Sequence, residues 1–250
     1  MKRHFTQISI IICLIIALSV FFGCGSGTTE NENEDKDDVY DTRPVVCFGD
    51  SLTYGTGASR GQSYPDFLQK QIRVDVINAG VNGGTTAGGL ARINKDVLEK
   101  NPQLVIIGFG GNDLFNGVTV EQIKSNLEQM ITRINSDNGN RKIYIANWIP
   151  VSAIDNNALL IVNVLRLTNG ASLLTPKELS DFVADYRTAL VSLSAAHDVE
   201  IVNGIFEGIY SDSNLMSDPL HPNSRGYEKM ANNYLKAIRP YLQDNNLLKK

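Results

Sequence analysis

The chain has 250 residues, 42% of them hydrophobic and 8% aromatic, enough for one sizeable domain with a full core or for two small ones. Lys and Arg number 23 against 27 Asp and Glu, a net charge of −4; without Lys2 and Arg3 of an N-terminal leader the balance is 21 against 27, or −6. That mild acidity comes with no basic stripe, which excludes a nucleic-acid partner.

Met1-Lys-Arg-His carries positive charge, and Ile8 to Gly23 is a nearly unbroken apolar run of sixteen residues, the pattern of a secretory signal over residues 1–23. A membrane span needs about 20 apolar residues, so the run is short for one. Phe21-Phe-Gly-Cys24 resembles a bacterial lipoprotein processing site, at which Cys24 would be lipidated and become the mature N-terminus. Phe21 departs from the leucine usual at such sites, and the competing reading is an uncleaved N-terminal membrane anchor. Both predict an exported chain held at a bacterial cell envelope, on the periplasmic or outer face. Residues 24–43 read as the lipid site followed by a disordered acidic tether, since Glu30-Asn-Glu-Asn-Glu-Asp-Lys-Asp-Asp38 buries nothing and repels itself. With Cys13 in the leader and Cys24 lipidated, Cys47 has no disulfide partner and reads as a small buried apolar residue.

The globular part runs over residues 44–243, leaving 244–250 as a tail. Strand patterns rich in Val and Ile occur at Val45–Gly49, Val74–Ala79, Leu104–Phe109, Lys142–Trp148 and Glu200–Asn203. Helical patterns lie between them, near Tyr64–Ile72, Gly89–Lys100, Val120–Asn135 and Pro176–Ala196, with a last one from Pro222 to about Leu242. Strands alternating with helices predict a parallel sheet covered on both faces, with ligands bound at the carboxyl ends of the strands. Asp50-Ser51, Gly80 to Thr86 and Gly110-Gly-Asn-Asp113 follow the first three strands and open on that edge; Asp218 to His221 precedes the last helix.

A serine hydroxyl becomes a competent nucleophile when a base takes its proton and a carboxylate orients that base. Of three histidines, His4 lies in the leader and His197 at a helix end, which leaves His221 as the base for Ser51 and Asp218 as the orienting acid. Donors for a developing oxyanion are available at the backbone N–H of Ser51, a backbone N–H at Gly83 and the side-chain amide of Asn112. Taken singly, each motif has a plainer reading: a helix-capping Asp near a surface His, a turn at Gly83-Gly84, an N-cap at Asn112-Asp113.

In order, Gly49-Asp-Ser-Leu-Thr53, Asn78-Ala-Gly-Val-Asn-Gly-Gly-Thr-Thr86 with Gly88-Gly-Leu-Ala-Arg92, Gly110-Gly-Asn-Asp113 and Asp218-Pro-Leu-His-Pro222 resemble the SGNH (GDSL) hydrolase superfamily. The resemblance covers about residues 45–242 and is nearest the bacterial arylesterase and lysophospholipase/thioesterase branch. It implies a flavodoxin-like three-layer α/β/α sandwich with a parallel five-stranded sheet in the order 2-1-3-4-5. It further implies hydrolysis of a small ester or thioester through an acyl-serine intermediate, without metal or other cofactor, by Ser51, His221 and Asp218, with Gly83 and Asn112 as oxyanion donors. Asp50, Leu114 and Phe115 fall beside the scissile bond if the block geometry holds. Gly84 and Asn82 depart from the aspartate and serine frequent at those positions, and residues 151–177 read as an insertion. Its apolar stretch from Ala158 to Leu167 predicts either a lid or acyl-binding wall, or a plain packing helix. Trp148 is expected near the same cleft or in the core.

Tyr54-Gly-Thr-Gly-Ala-Ser-Arg-Gly61 fails as a dinucleotide loop, because it does not directly follow a strand and Asp75 lies inside one. Two histidines in the mature chain and no clustered cysteines argue against a catalytic zinc. The expected activity is hydrolysis of short- to medium-chain acyl esters. A carbohydrate O-acetylesterase of the same superfamily is the runner-up, and a non-catalytic binding lipoprotein a more distant reading.

Overall fold

Three of the five strands end in glycine, and that ending positions everything above the sheet. The computed structural model describes residues 39–137, 140–148 and 156–249. The leader, Cys24, the tether up to Asp38, Val151–Asp155 of the insertion and Lys250 lie outside the described residues. The strands are β1 (Val45–Gly49), β2 (Val76–Gly80), β3 (Leu104–Gly108), β4 (Lys142–Ala146) and β5 (Glu200–Val202). All pair in parallel, in the order β2-β1-β3-β4-β5. The helices are α1 (Ser51–Tyr54), α2 (Tyr64–Gln69), α3 (Thr86–Asp96), α4 (Gly111–Phe115), α5 (Val120–Asp137), α6 (Asn156–Thr168), α7 (Pro176–His197) and α8 (Ser224–Asp244).

Alternate residues of each strand face opposite layers. Val45, Cys47, Leu104, Ile106 and Tyr144 pack with α2 and α8, whereas Val46, Phe48, Val105, Ile107 and Ile143 pack with α3, α5 and α7. Because β1, β3 and most of β4 are buried on both faces, they read as continuous apolar runs rather than alternating ones. Burying one such side chain contributes about 1.5–3 kcal/mol. The result is the parallel sheet covered on both faces that the alternation predicts, and the three-layer α/β/α sandwich that the resemblance implies. From Asp38 onward the chain forms a compact unit, and it contains both of these cores.

Several boundaries differ from the sequence expectation for local reasons. Strand β2 starts at Val76 rather than Val74 because the Gln69 side chain occupies the backbone there: its Nε2 donates to Val74 O (3.0 Å) and its Oε1 accepts from Val76 N (2.7 Å). Helix α8 starts at Ser224 rather than Pro222. Asn223 caps it by accepting from Arg225 N and Gly226 N, while Pro222 makes an isolated antiparallel bridge with Met216. Helix α7 begins where expected, since Thr175 and Glu178 form a reciprocal capping box ahead of Pro176. The expected tail packs onto the domain: Leu247 is fully buried, its carbonyl accepts from Arg73 N (2.8 Å), and Leu248 bridges to Ile72.

Gly80, Gly49 and Gly108 stand in register across the C-terminal edge of β2, β1 and β3. A Cβ at Gly49 would lie 2.2 Å from Thr53 Oγ1, one at Gly80 2.1 Å from Tyr54 N, and one at Gly108 2.2 Å from Trp148. This bare row lets α1 lie directly on the end of the sheet and lets Trp148 close in from β4.

Candidate active site

Ser51 is the first residue of α1, four residues long and stabilised by its cap: Asp50 Oδ1 accepts from Leu52 N at 3.0 Å. Arg92 of α3 holds the strand beneath. Its guanidinium donates to Gly49 O (2.7 Å) and Ala79 O (2.9 Å), pairs with Asp96 (2.6 Å) and stacks 4.4 Å above the Phe48 ring. The Ser51 loop is thereby tied to β1 and β2 at once.

The loop before α8 brings the other two polar groups. His221 Nε2 lies 3.1 Å from Ser51 Oγ, and His221 Nδ1 lies 2.8 Å from Asp218 Oδ2. Asp218 Oδ1 also accepts from Leu220 N and His221 N, both at 2.8 Å. Burial raises the Asp218 pKa, but those N–H donors and the ring together hold it below the usual carboxylate range. The loop is fixed from outside by Tyr210, whose hydroxyl donates to Leu220 O (3.0 Å), and by Ser217 N donating to His221 O (2.8 Å). Ser51, His221 and Asp218, 167 to 170 residues apart from serine to acid and base, therefore form one hydrogen-bonded chain.

Gly83 follows β2 with φ +69°, a left-handed backbone suited to glycine, and lines the same cleft as Ser51. Asn112 sits on α4 with its Nδ2 donating to Gly84 O (3.1 Å) and, more weakly, to Asp50 Oδ2 (3.4 Å). Among the described residues, no internal acceptor takes the backbone N–H of Ser51 or Gly83. Asn82 accepts from Thr56 Oγ1 (2.5 Å), and Gly84 closes a turn onto Val81 O (3.0 Å).

Two carboxylates behind the site are buried. Burial raises the Asp50 pKa to about 7, against the bond from Leu52 N and aided by nearby Asp113. Asp113 is inaccessible to water; burial raises its pKa despite bonds from Thr86 N (2.9 Å) and Thr86 Oγ1 (2.5 Å). Asn126 of α5 donates to the same Thr86 hydroxyl (2.9 Å), so one polar knot joins α3, α4 and α5 under the Asn112 loop. Neither this knot nor the Arg92 clamp is visible in the sequence, because their partners, Asp96 apart, are 13 to 43 residues away.

The cleft encloses about 930 Å³ and opens to solvent. Its polar end holds Ser51, Asn82, Gly83, Asn112 and His221; its apolar walls come from Leu114, Phe115 and Trp148, and from Ile161, Val162 and Leu165 of α6. Trp148 thus serves both expectations, lining the cleft while 96% of its surface is withdrawn from solvent. The insertion's helix forms a wall of the cleft. It is pinned there by Arg166, which donates to Leu114 O of α4 and to Ser172 O (2.6 Å). Among the described residues no group of three His, Cys, Asp or Glu is placed to hold a metal ion.

A serine bonded to a histidine–carboxylate pair, at the carboxyl edge of a parallel α/β/α sheet and beside an apolar cleft, defines the chain as a serine hydrolase of carboxylic esters. It belongs to the GDSL-like Lipase/Acylhydrolase family, matched over residues 47–229. Esterase TesA of Pseudomonas aeruginosa is 26% identical over 203 residues, covering 79% of this chain and 89% of that protein. An arylesterase of Vibrio mimicus is 35% identical over 101 residues, 38% of this chain and 50% of the relative. The crystal structure of the lipase/acylhydrolase from Enterococcus faecalis superposes with a TM-score of 0.60 at 27% identity, covering 83% of this chain and 97% of that one.

Proposed function

We propose that the chain hydrolyses short- to medium-chain acyl esters, with Ser51 as nucleophile, His221 as base and Asp218 as the acid that orients it. His221 Nε2 takes the hydroxyl proton as Ser51 Oγ attacks the acyl carbon. Asp218 fixes the ring through Nδ1 and balances the imidazolium charge. The carbonyl oxygen, now an oxyanion, is received by the backbone N–H groups of Ser51 and Gly83 and by the Asn112 amide, which gives up its weak 3.4 Å bond to Asp50. His221 returns the proton to the leaving alcohol or thiol. A water deprotonated by His221 then cleaves the acyl-serine, releases the acid and restores Ser51.

The observation that carries this reading is the juxtaposition of the 3.1 Å Ser51–His221 contact with walls of Leu, Ile, Val and Phe. Such walls suit an acyl chain better than a sugar, which favours the acylhydrolase over the carbohydrate O-acetylesterase. Rates on p-nitrophenyl esters from acetyl to dodecanoyl, set beside an acetylated sugar, test it. Strict acetyl preference with sugar selectivity would overturn the choice. Ser51→Ala is expected to lower kcat by about 10⁴-fold or more and to abolish labelling by a fluorophosphonate probe.

The N-terminal sequence supports export and lipidation at Cys24, with the tether as spacer. Fatty-acid labelling of the unaltered chain should be lost in Cys24→Ser; a chain that takes up no label yet stays with the membrane would decide for the uncleaved anchor.

A further inference from the structure

The side of α6 turned away from the cleft is also apolar. Leu160, Val164 and Leu167 recur at helical spacing as one stripe and are 63%, 52% and 67% exposed; Leu173, just past the helix, is 58% exposed. Across the same helix Ile161 and Leu165 line the substrate cleft, and Leu159 and Val162 pack on the core. A helix with apolar residues on both sides, one facing substrate and the other water, needs a partner for its outer side. We propose that this outer stripe docks on a lipid surface, seating the cleft mouth where acyl chains emerge. The proposal deepens the acylhydrolase reading and rests on it for the choice of surface.

Two features favour lipid over a protein. The whole stretch from Asn156 to Leu173 contains no Asp or Glu and a single cation, Arg166, which is turned inward and bonded to backbone carbonyls. In a chain with 27 carboxylates, that is a segment with no charge to desolvate or to be repelled by a phospholipid headgroup. The chain ahead of the described domain also supplies a tether, residues 25–38 preceded by the apolar run and Cys24. A linker of that Gly-, Ser- and charge-rich composition brings a domain to a membrane without orienting it. The stripe is continuous with the cleft wall, so docking through it orients the site.

The test uses the compact unit from Asp38 to Lys250, which lacks the leader, in flotation with zwitterionic phosphatidylcholine vesicles. Changing Leu160, Val164 and Leu167 together to Gln keeps a good helix former at each position. This should lower vesicle partitioning by at least about tenfold. The same variant should hydrolyse monomeric p-nitrophenyl butyrate within about twofold of the unaltered unit. A second variant, Leu160→Met with Val164→Leu and Leu167→Met, should bind vesicles as the unaltered unit does. Vesicle binding unchanged by the Gln substitutions, or no flotation of the unaltered unit, would overturn docking. So would a dimer, seen by sedimentation, that the Gln substitutions dissociate, since a second copy would then be what covers the stripe. Loss of activity toward the monomeric ester in every form would instead sink the acylhydrolase reading, leaving flotation to judge the stripe on its own.

Discussion

Two sides of one cleft are built on different physics. On the Ser51 side, Ser51, Asn112 and His221 stand on segments held by networks of polar groups: the buried Asp113–Thr86–Asn126 knot, the half-buried Arg92 clamp and the more exposed bonds around Asp218. Each of those groups has fixed partners, and moving one strands another. On the α6 side, the wall is apolar and is tied down mainly through Arg166 and through Asn163, whose side chain pairs both backbone groups of Leu174. Apolar contact is tolerant of small shifts. The comparison teaches that the Ser51 side is preorganised by satisfied polar networks, while the facing wall is an apolar surface free to adjust.

The largest effect that would sharpen this contrast is expected at Asp113→Ala. Losing the carboxylate strands the Thr86 N–H and leaves a hole among three helices, a cost of about 3–5 kcal/mol in urea unfolding. A loss below about 1 kcal/mol would break the view of a rigid Ser51 side. Next comes Asp50→Asn. Because the folded state holds the Asp50 pKa near 7, above its unfolded value, the folded protein keeps a proton that the unfolded chain releases between about pH 4 and pH 7. Stability therefore falls as pH rises through that window. The Asn variant should lack this decline, gaining on the order of 3 kcal/mol relative to the unaltered chain between pH 4.5 and pH 8. Parallel pH profiles of unfolding for the two proteins would refute the burial of an ionisable group at Asp50. The smallest effect is expected at Arg166→Met, which frees α6 from α4. Here kcat/KM for the octanoyl ester should drop about tenfold, mostly in KM, with the acetyl ester little changed. Equal losses on both esters would show that α6 serves the chemistry as much as the fit.

Strands β1, β3 and β4 were legible because each is a run of β-branched and apolar residues buried on both faces. The loops that follow them were legible too, since glycines mixed with Asp, Ser and Asn have few structural reasons to cluster there. Ser51, His221 and Asp218 are hydrogen-bonded to one another, and Gly83 and Asn112 line the same cleft. Helices α1 and α4 were not legible: four or five residues cannot nucleate alone, and only the bare glycine edge and the caps above it keep them helical. For α6 the apolar density announced a helix, but not which side would meet the cleft, because both sides read alike. Arg92, Asp113 and Arg166 act on partners brought near by the finished fold, so nothing local marked them.

Cys47 sits in the middle of β1, four residues before Ser51, and is the free thiol among the described residues. Burial pushes its pKa up to about 12, which keeps it from reacting while the strand is in place. A thiol reagent reaches it during the intervals when β1 parts from its neighbours. The rate of its modification is thus a clock for the opening of the strand that leads into Ser51, read from one sulfur atom the protein already contains.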